Sequence, residues 1–235
     1  MKTLTKAMQD AITPQIALDL LREGNKRFMS NLKINRNLLE QASATSDGQH
    51  PFAVILSCID SRTSAELIFD QGLGDVFGVR IAGTIINEDI LGSMEFGCKI
   101  SGAKIIVVLG HTKCGAVKGA CDKVVMGNLT GLLSKIQPAV DAEKTVTENR
   151  TSSNEDFVNK VSAIHVRDAV DAIVERSAIL KEMFDAGTCG IVGANHDIGT
   201  GEVHFYNDTM LGFFKPKQVK TGDACDKGVG SRAKL

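Results

Sequence analysis

Two short motifs carry residue types that bind metal ions: CIDSR begins at Cys58, and GHTKC contains His111 and Cys114. Two cysteine sulfurs and one imidazole nitrogen suit zinc in a tetrahedral site whose fourth position is open to water or substrate. Neither motif contains a further CxxC or HxxxH pair that would close the site, as structural zinc sites are closed. The pattern therefore favours a catalytic zinc site.

Asp60 and Arg62 lie two residues apart within the first motif. A carboxylate and a guanidinium at this spacing in a tight loop can form a bidentate ion pair. Held by Arg62, Asp60 stays ionised and can accept a hydrogen bond beside the metal. A surface ion pair of little energetic value is the ordinary interpretation of such residues, but their place beside Cys58 favours a catalytic role.

The elements that precede the motifs are predicted strands. Phe52 to Ser57 and Ile105 to Leu109 are continuous apolar runs, typical of strands buried on both faces of a parallel sheet. Cys58 directly follows the first run, and His111 comes two residues after the second. Ligands bind where parallel strands end, so the two motifs converge if these strands are neighbours.

The rest of the chain alternates strands and helices. Further strands are predicted at 75–81, 189–194 and 202–206, and helices at 14–30, 63–69, 87–99, 115–123, 129–136 and 155–186, the last as one helix or two in series. A short connection makes the final strand antiparallel. The predicted fold is α/β, with a mostly parallel four-stranded sheet, a C-terminal antiparallel strand, flanking helices and an N-terminal helical arm.

Composition limits the classes of function. The chain has 235 residues, a formal net charge of −1 and 43% hydrophobic residues, which predicts one soluble globular core with neither a nucleic acid nor a membrane as partner. Residues 1–50 are predicted to form the arm and its connection, 51–214 the catalytic core and 215–235 a flexible tail. The N-terminus lacks the pattern of a secretory signal, so we expect a cytoplasmic protein whose other cysteines serve packing: Cys98, Cys121, Cys189 and Cys225.

Taken together, CxDxR after one buried strand and HxxC after another resemble the signature of β-class carbonic anhydrases. The segments GQHPF, FGVR, LGSMEF and GANHDIGTGEV resemble further landmarks of that family, in family order, between residues 14 and 207. The resemblance implies one Zn²⁺ per subunit, held by Cys58, His111 and Cys114. It also implies reversible hydration of carbon dioxide by zinc hydroxide to bicarbonate and a proton.

The resemblance assigns roles to further residues. Asp60 and Arg62 match the catalytic pair beside the zinc. Five positions match substrate-binding residues of the family: Gln49, Phe77, Ala82, Phe96 and Gly115. Phe77 and Phe96 are equally compatible with a purely structural role in a strand and a helix. The family often has tyrosine where Phe96 stands, so a hydroxyl contact is absent there while the apolar wall is kept.

The sequence also departs from the family pattern at residues that serve regulation in some members. Some members of the family are inhibited by bicarbonate at a separate site that uses tryptophan, arginine and tyrosine. Here Ile55 replaces the tryptophan and His196 the tyrosine, while Arg80 matches the arginine. We therefore expect an open zinc site with water as fourth ligand, no such switch, and structural bonds from Arg80 across a subunit interface. His50 and His196 are proton-shuttle candidates by position only, and ordinary hydrogen-bonded or exposed histidines are the favoured interpretation.

Three alternatives remain at this point. A zinc hydrolase of a carbon dioxide analogue, such as carbon disulfide or carbonyl sulfide, would use the same motifs. A non-catalytic binding module stabilised by zinc would have no need for Asp60, Arg62 and Gln49. A flavodoxin-like nucleotide binder is disfavoured because no glycine-rich phosphate loop follows the first strand. The resemblance further implies a homodimer or homotetramer, with the N-terminal helix reaching over a partner.

Overall fold

A computed structural model describes residues 3–214 as an α/β structure around a five-stranded sheet. The predicted tail, including Cys225, lies outside the described residues. The strand order is β2-β1-β3-β4-β5. The strands are β1 (Ala53–Ser57), β2 (Val76–Arg80), β3 (Ile105–His111), β4 (Gly190–His196) and β5 (Val203–Leu211). The first four run parallel and β5 pairs antiparallel with β4, which confirms the predicted sheet.

Ten α-helices flank the sheet in the described part of the chain. They are α1 (Lys6–Ala11), α2 (Pro14–Met29), α3 (Leu38–Ala44), α4 (Ala65–Ile68), α5 (Glu88–Glu95), α6 (Gly115–Cys121), α7 (Gly127–Leu133), α8 (Gln137–Ala142), α9 (Glu155–Arg176) and α10 (Ala178–Asp185). A π-helical segment, Phe96–Ile100, continues α5. No helix between residues 3 and 214 combines the length and the apolar character needed to cross a membrane.

Side-chain caps set several of the helix starts. Thr13 accepts from the N–H of Ile16, and Pro14 occupies the first turn of α2. Ser177 caps α10 by accepting from the N–H of Leu180, and its extended backbone separates α10 from α9. The predicted helical region between residues 155 and 186 is therefore two helices in series.

The core lies on both faces of the sheet, because β1 and β3 are buried along their whole length. Val54 and Leu56 pack beneath α5, α9 and α10, while Ala53 and Ile55 face α2 and α4. The apolar face of α2 packs on this chain's own sheet. Ile16 and Leu20, on its other face, remain exposed.

Three helices arise where the sequence predicts no helix: α1, α3 and α8. Both α1, with six residues, and α3, with seven, are shorter than helices that are stable alone. Tertiary hydrogen bonds hold them instead. Gln9 of α1 donates to the carbonyls of Pro51 and Ser101, and Gln41 of α3 accepts from the N–H of Leu73.

Candidate metal centre

The two sequence motifs meet at the C-terminal edge of the sheet because β1 and β3 are neighbours. Cys58 follows β1, His111 is the last residue of β3, and Cys114 immediately precedes α6. One ligand atom from each residue lies within 4.8 Å of the other two. The three residues are 4%, 1% and 3% exposed, respectively. This is the size and donor composition of a three-ligand zinc site.

The histidine presents one free nitrogen. Its Nδ1 lies 3.0 Å from the carbonyl oxygen of Thr112, and because a carbonyl only accepts, Nδ1 carries the proton. Nε2 therefore has a lone pair, and it is buried without a hydrogen-bond partner among residues 3–214. A buried unpaired acceptor is costly. A metal ion would satisfy this nitrogen, and the bond to Thr112 fixes the tautomer that metal ligation needs.

The two thiols influence each other. A hydrogen bond from Cys114, opposed by burial, lowers the pKa of Cys58 below its ordinary value. The same contact with Cys58, together with burial, raises the pKa of Cys114 above its ordinary value. The pair therefore retains one proton at neutral pH. A divalent cation is the group that allows both sulfurs to ionise.

Asp60 and Arg62 form the predicted bidentate pair. Arg62 donates from Nε to Asp60 Oδ1 at 2.9 Å and from Nη2 to Oδ2 at 2.7 Å. The backbone N–H of Arg62 also donates to Oδ1 at 2.9 Å. The Arg62 side chain is the main reason that the pKa of Asp60 lies below its usual range. Asp60 is therefore an anion held toward Arg62, and it is not one of the three clustered ligands.

Arg80 and Thr63 brace the loop that carries Cys58 and Asp60. Arg80, at the end of β2, donates to Cys58 O at 3.1 Å and to Asp60 O at 2.6 Å. Thr63 Oγ1 donates to the same two carbonyls, at 3.2 and 2.9 Å. Within one chain the guanidinium of Arg80 already binds the loop that bears Cys58, and the expected bonds from Arg80 across a subunit interface stay a prediction.

Comparison with known proteins identifies the family. A family model described as "Carbonic anhydrase" matches residues 53–203. "Carbonic anhydrase 2" of Mycobacterium tuberculosis is 35% identical over 80% of this chain and 90% of its own length. "Carbonic anhydrase" of Mycolicibacterium smegmatis is 33% identical over 81% of this chain and 92% of its own.

The chain belongs to the β-carbonic anhydrase family. Solved structures have the same fold. The β-carbonic anhydrase CcaA aligns with a TM-score of 0.64 and 25% identity over 81% of this chain and 95% of that one. A tetrameric β-carbonic anhydrase from Sordaria macrospora aligns with a TM-score of 0.61 and 22% identity over 72% and 90% of the two chains.

Within one chain, the substrate-binding residues predicted from the family are dispersed. Ala82 and Gly115 lie near the candidate ligands, since Ala82 begins the turn that contacts Cys58 and Gly115 follows Cys114. Phe77 and Phe96 pack edge to face with their ring centroids 6.3 Å apart. They line a cavity of about 820 Å³ along β2 that also reaches Arg80, and Phe96 is 55% exposed.

Gln49 lies at the other end of the sheet. It precedes β1, and a Cβ placed on Gly74 would lie 3.9 Å from the Gln49 Cβ, where Gly74 precedes β2. The candidate metal ligands Cys58, His111 and Cys114 instead cluster where the parallel strands end. The structure therefore does not bring Gln49 to the ligands of its own chain.

The histidine candidates for proton transfer differ in burial. His196 pairs with His111 in the β3–β4 register and is buried with neither ring nitrogen bonded within residues 3–214. Burial is the main reason that the pKa of His196 is lowered to about 4. His50 is half-buried. Neither histidine is among the three clustered ligands.

Sequence reasoning missed two residues near the ligands. The backbone N–H of Gly83 donates to Cys58 Sγ at 3.4 Å, and His165 Nε2 lies 2.8 Å from the carbonyl of Gly83. One signal was available for His165. It stands on the apolar face of α9, four residues from both Val161 and Ala169, where a histidine requires a buried partner.

Proposed function

We propose that this chain is a zinc-dependent carbonic anhydrase that interconverts carbon dioxide and bicarbonate. The observation that carries the proposal is the convergence of Cys58, Cys114 and the unpaired Nε2 of His111 beside the Asp60–Arg62 pair. The donor set suits zinc, and the adjacent anion is placed to handle a proton. Bound zinc supplies Lewis acidity, by which water becomes a nucleophile near neutral pH.

The protein residues orient the reactants. Arg62 keeps Asp60 ionised and fixed through its two side-chain hydrogen bonds. Asp60 accepts a hydrogen bond from the O–H of the attacking water, which directs the remaining lone pair of the oxygen toward the carbon of carbon dioxide. Gly115 begins α6, so its N–H has no partner within the helix and can donate to the product bicarbonate.

The catalytic site is completed by a second copy of the chain. β2 is an edge strand of the sheet, and the cavity beside it is lined by the apolar Phe77 and Phe96. A two-fold axis at this edge would place the N-terminal end of one sheet beside the C-terminal end of the other. Gln49 of one subunit would then reach the zinc site of its partner, in a homodimer or in a tetramer built from two dimers.

Stopped-flow measurement of carbon dioxide hydration tests the reaction. The purified protein, a zinc-stripped sample and the same sample with zinc restored are compared between about pH 7 and 9. We expect rapid turnover that requires zinc and rises with pH, because two thiolates make the metal less acidifying than three histidines would. Stoichiometric zinc without hydration across this range would refute the proposal, and carbon disulfide would be the next substrate to test.

Subunit complementation tests the shared site. Gln49→Ala and Cys58→Ser variants are each expected to have low activity, and mixing the two should restore part of it. In a mixed dimer, one site has its own Cys58 and receives Gln49 from the partner. The control mixes Asp60→Asn with Cys58→Ser, because both residues serve the zinc site of their own chain. Equal recovery in both mixtures, or no recovery in the first, would contradict the shared arrangement.

A further inference from the structure

A turn between β2 and α5 places a backbone donor on one of the ligand sulfurs. Ala82–Thr84 form a 3₁₀ turn, in which the N–H of Gly83 donates to Cys58 Sγ at 3.4 Å. Gly83 has φ 68° and Thr84 has φ 56°, so two consecutive residues occupy the left-handed region. A β-branched threonine rarely adopts that conformation, and such a turn persists only where its surroundings hold it.

His165, in the middle of α9, makes a hydrogen bond that holds this turn in place. Its Nε2 lies 2.8 Å from Gly83 O, across 82 residues of sequence, and Nε2 is the donor because a carbonyl only accepts. The side chain is buried, at 6% exposure. Burial lowers the pKa of His165 despite the opposing bond to Gly83. The ring is therefore neutral at neutral pH.

We propose that His165 is a positioning residue of the metal centre. By holding the carbonyl of Gly83, it keeps the N–H of Gly83 directed at the sulfur of Cys58. The inference rests on the proposed role of Cys58 as a zinc ligand. It adds a residue that acts on this ligand from a distant helix, through one intervening glycine.

The hydrogen bond to sulfur has a defined physical effect. An N–H directed at a thiolate stabilises its negative charge and restricts the directions in which the sulfur can bind a metal. If His165 no longer holds the turn, Gly83 and Thr84 can relax toward common backbone angles, and the N–H turns away from Cys58. Loss of a residue that hydrogen-bonds a metal ligand typically lowers metal affinity about 10- to 100-fold.

The surrounding space supports positioning rather than contact with substrate. The cavity shared by His165, Gly83, His111 and Cys114 has a volume of about 10 Å³. This is the space of about one water molecule, so neither carbon dioxide nor bicarbonate fits between the His165 ring and the ligands. His165 therefore acts through the Gly83 backbone.

Two substitutions of His165 separate hydrogen bonding from packing. His165→Leu fills the site without a donor, whereas His165→Gln places an amide N–H near the position of Nε2. Val161→Ala is the matched control, because Val161 is buried one turn earlier on the same helix and makes no bond to Gly83. If His165→Leu does not fold, His165→Asn replaces it, since the shorter amide ends before Gly83 O.

Two readouts are independent of turnover: zinc affinity by chelator competition, and the sulfur-to-metal charge-transfer absorption of the Co²⁺-substituted protein. We expect His165→Leu to weaken zinc binding about tenfold or more and to shift the absorption band. His165→Gln should retain most of the affinity and the original band. Val161→Ala should melt at a lower temperature but keep the affinity and spectrum of the wild type.

The outcomes that overturn the inference are distinct. Wild-type affinity and spectrum in His165→Leu would show that the turn holds its N–H on Cys58 without His165. Equal losses in His165→Gln and His165→Leu would show that the donor is not what matters, and an equal loss in Val161→Ala would assign the effect to packing. A wild-type protein that binds neither zinc nor cobalt would overturn the proposed function together with this inference, whereas the other outcomes leave that function standing.

Discussion

Replacing Gly83 with alanine tests whether the turn beside Cys58 is as constrained as its geometry indicates. The φ of Gly83 is 68°, and an added Cβ would lie 2.7 Å from Ile136 Cδ1 and 3.0 Å from Ala116 Cβ. Ile136 is fully buried, so its terminal methyl has little free space. The Cβ of Ala116 moves only with the backbone of α6.

Two costs add in Gly83→Ala. The left-handed conformation costs a residue with a Cβ about 1 to 2 kcal/mol, and overpacking a buried site typically costs about 1 to 3 kcal/mol. We therefore expect the free energy of unfolding to fall by about 2 to 5 kcal/mol. Gly131→Ala is the control. Gly131 lies inside α7 with open space around its Cα, and alanine there should stabilise the protein by about 0.5 to 1 kcal/mol.

Urea unfolding at fixed free zinc measures these changes, and a second substitution locates the clash. Ile136→Val removes the Cδ1 atom that the new Cβ would meet, and alone it should cost about 0.5 to 1.5 kcal/mol. In the double variant the total loss should be smaller than the sum, with a coupling of about 0.5 to 3 kcal/mol. A Gly83→Ala protein within about 0.5 kcal/mol of the wild type, or strictly additive losses, would refute the reasoning.

Three further predictions concern charged groups. Asp60→Asn should lower kcat/KM for carbon dioxide about 10²-fold with unchanged zinc content, as measured by stopped flow and metal analysis; a loss of zinc would contradict an orienting role. Glu143 is buried, which would raise its pKa, but hydrogen bonds from Thr145, Val146 and Arg150 bring its pKa to about 2. The contribution of ionised Glu143 to folding stability is therefore complete above the unfolded-state pKa and is lost as pH falls toward 2. Glu143→Gln should therefore lower the free energy of unfolding by about 1 to 2 kcal/mol at neutral pH. Urea titrations at acid pH should show a smaller loss, and a loss that does not depend on pH would contradict this prediction. Asp70→Ala leaves the buried guanidinium of Arg36 unpaired and should cost about 3 to 5 kcal/mol, whereas Asp185→Asn, at an exposed pair, should change stability little.

The sequence predicts the sheet well because its signals are local. Continuous apolar runs mark β1 and β3, whose burial on both faces follows from helices covering both sides. The ends of the strands are less well predicted. β3 and β4 extend beyond their apolar runs to His111 and His196, because the two histidines pair with each other in register. Such pairing depends on the neighbouring strand rather than on residue type.

The predicted residues of the metal centre also differ in how far local sequence determines their positions. Cys58 and His111 lie at or just after strand ends, and Arg62 is two residues from Asp60, so short stretches of sequence determine their placement. Gln49 differs, because its distance from the ligands depends on the direction of β1 and on how a second copy would meet the edge of the sheet. A family motif indicates that such a residue takes part but does not indicate which subunit supplies it.

By itself, the sequence predicted the candidate ligand set, the Asp60–Arg62 ion pair and the strands of the sheet, since each depends on residue types within a few positions. Only the tertiary structure decided what holds that site in shape. The bond from His165 to Gly83 spans 82 residues, and Arg80 reaches Cys58 O across 22. Contacts at such separations form when helices and strands pack, and no local pattern of residues encodes the partner that each buried polar group will meet.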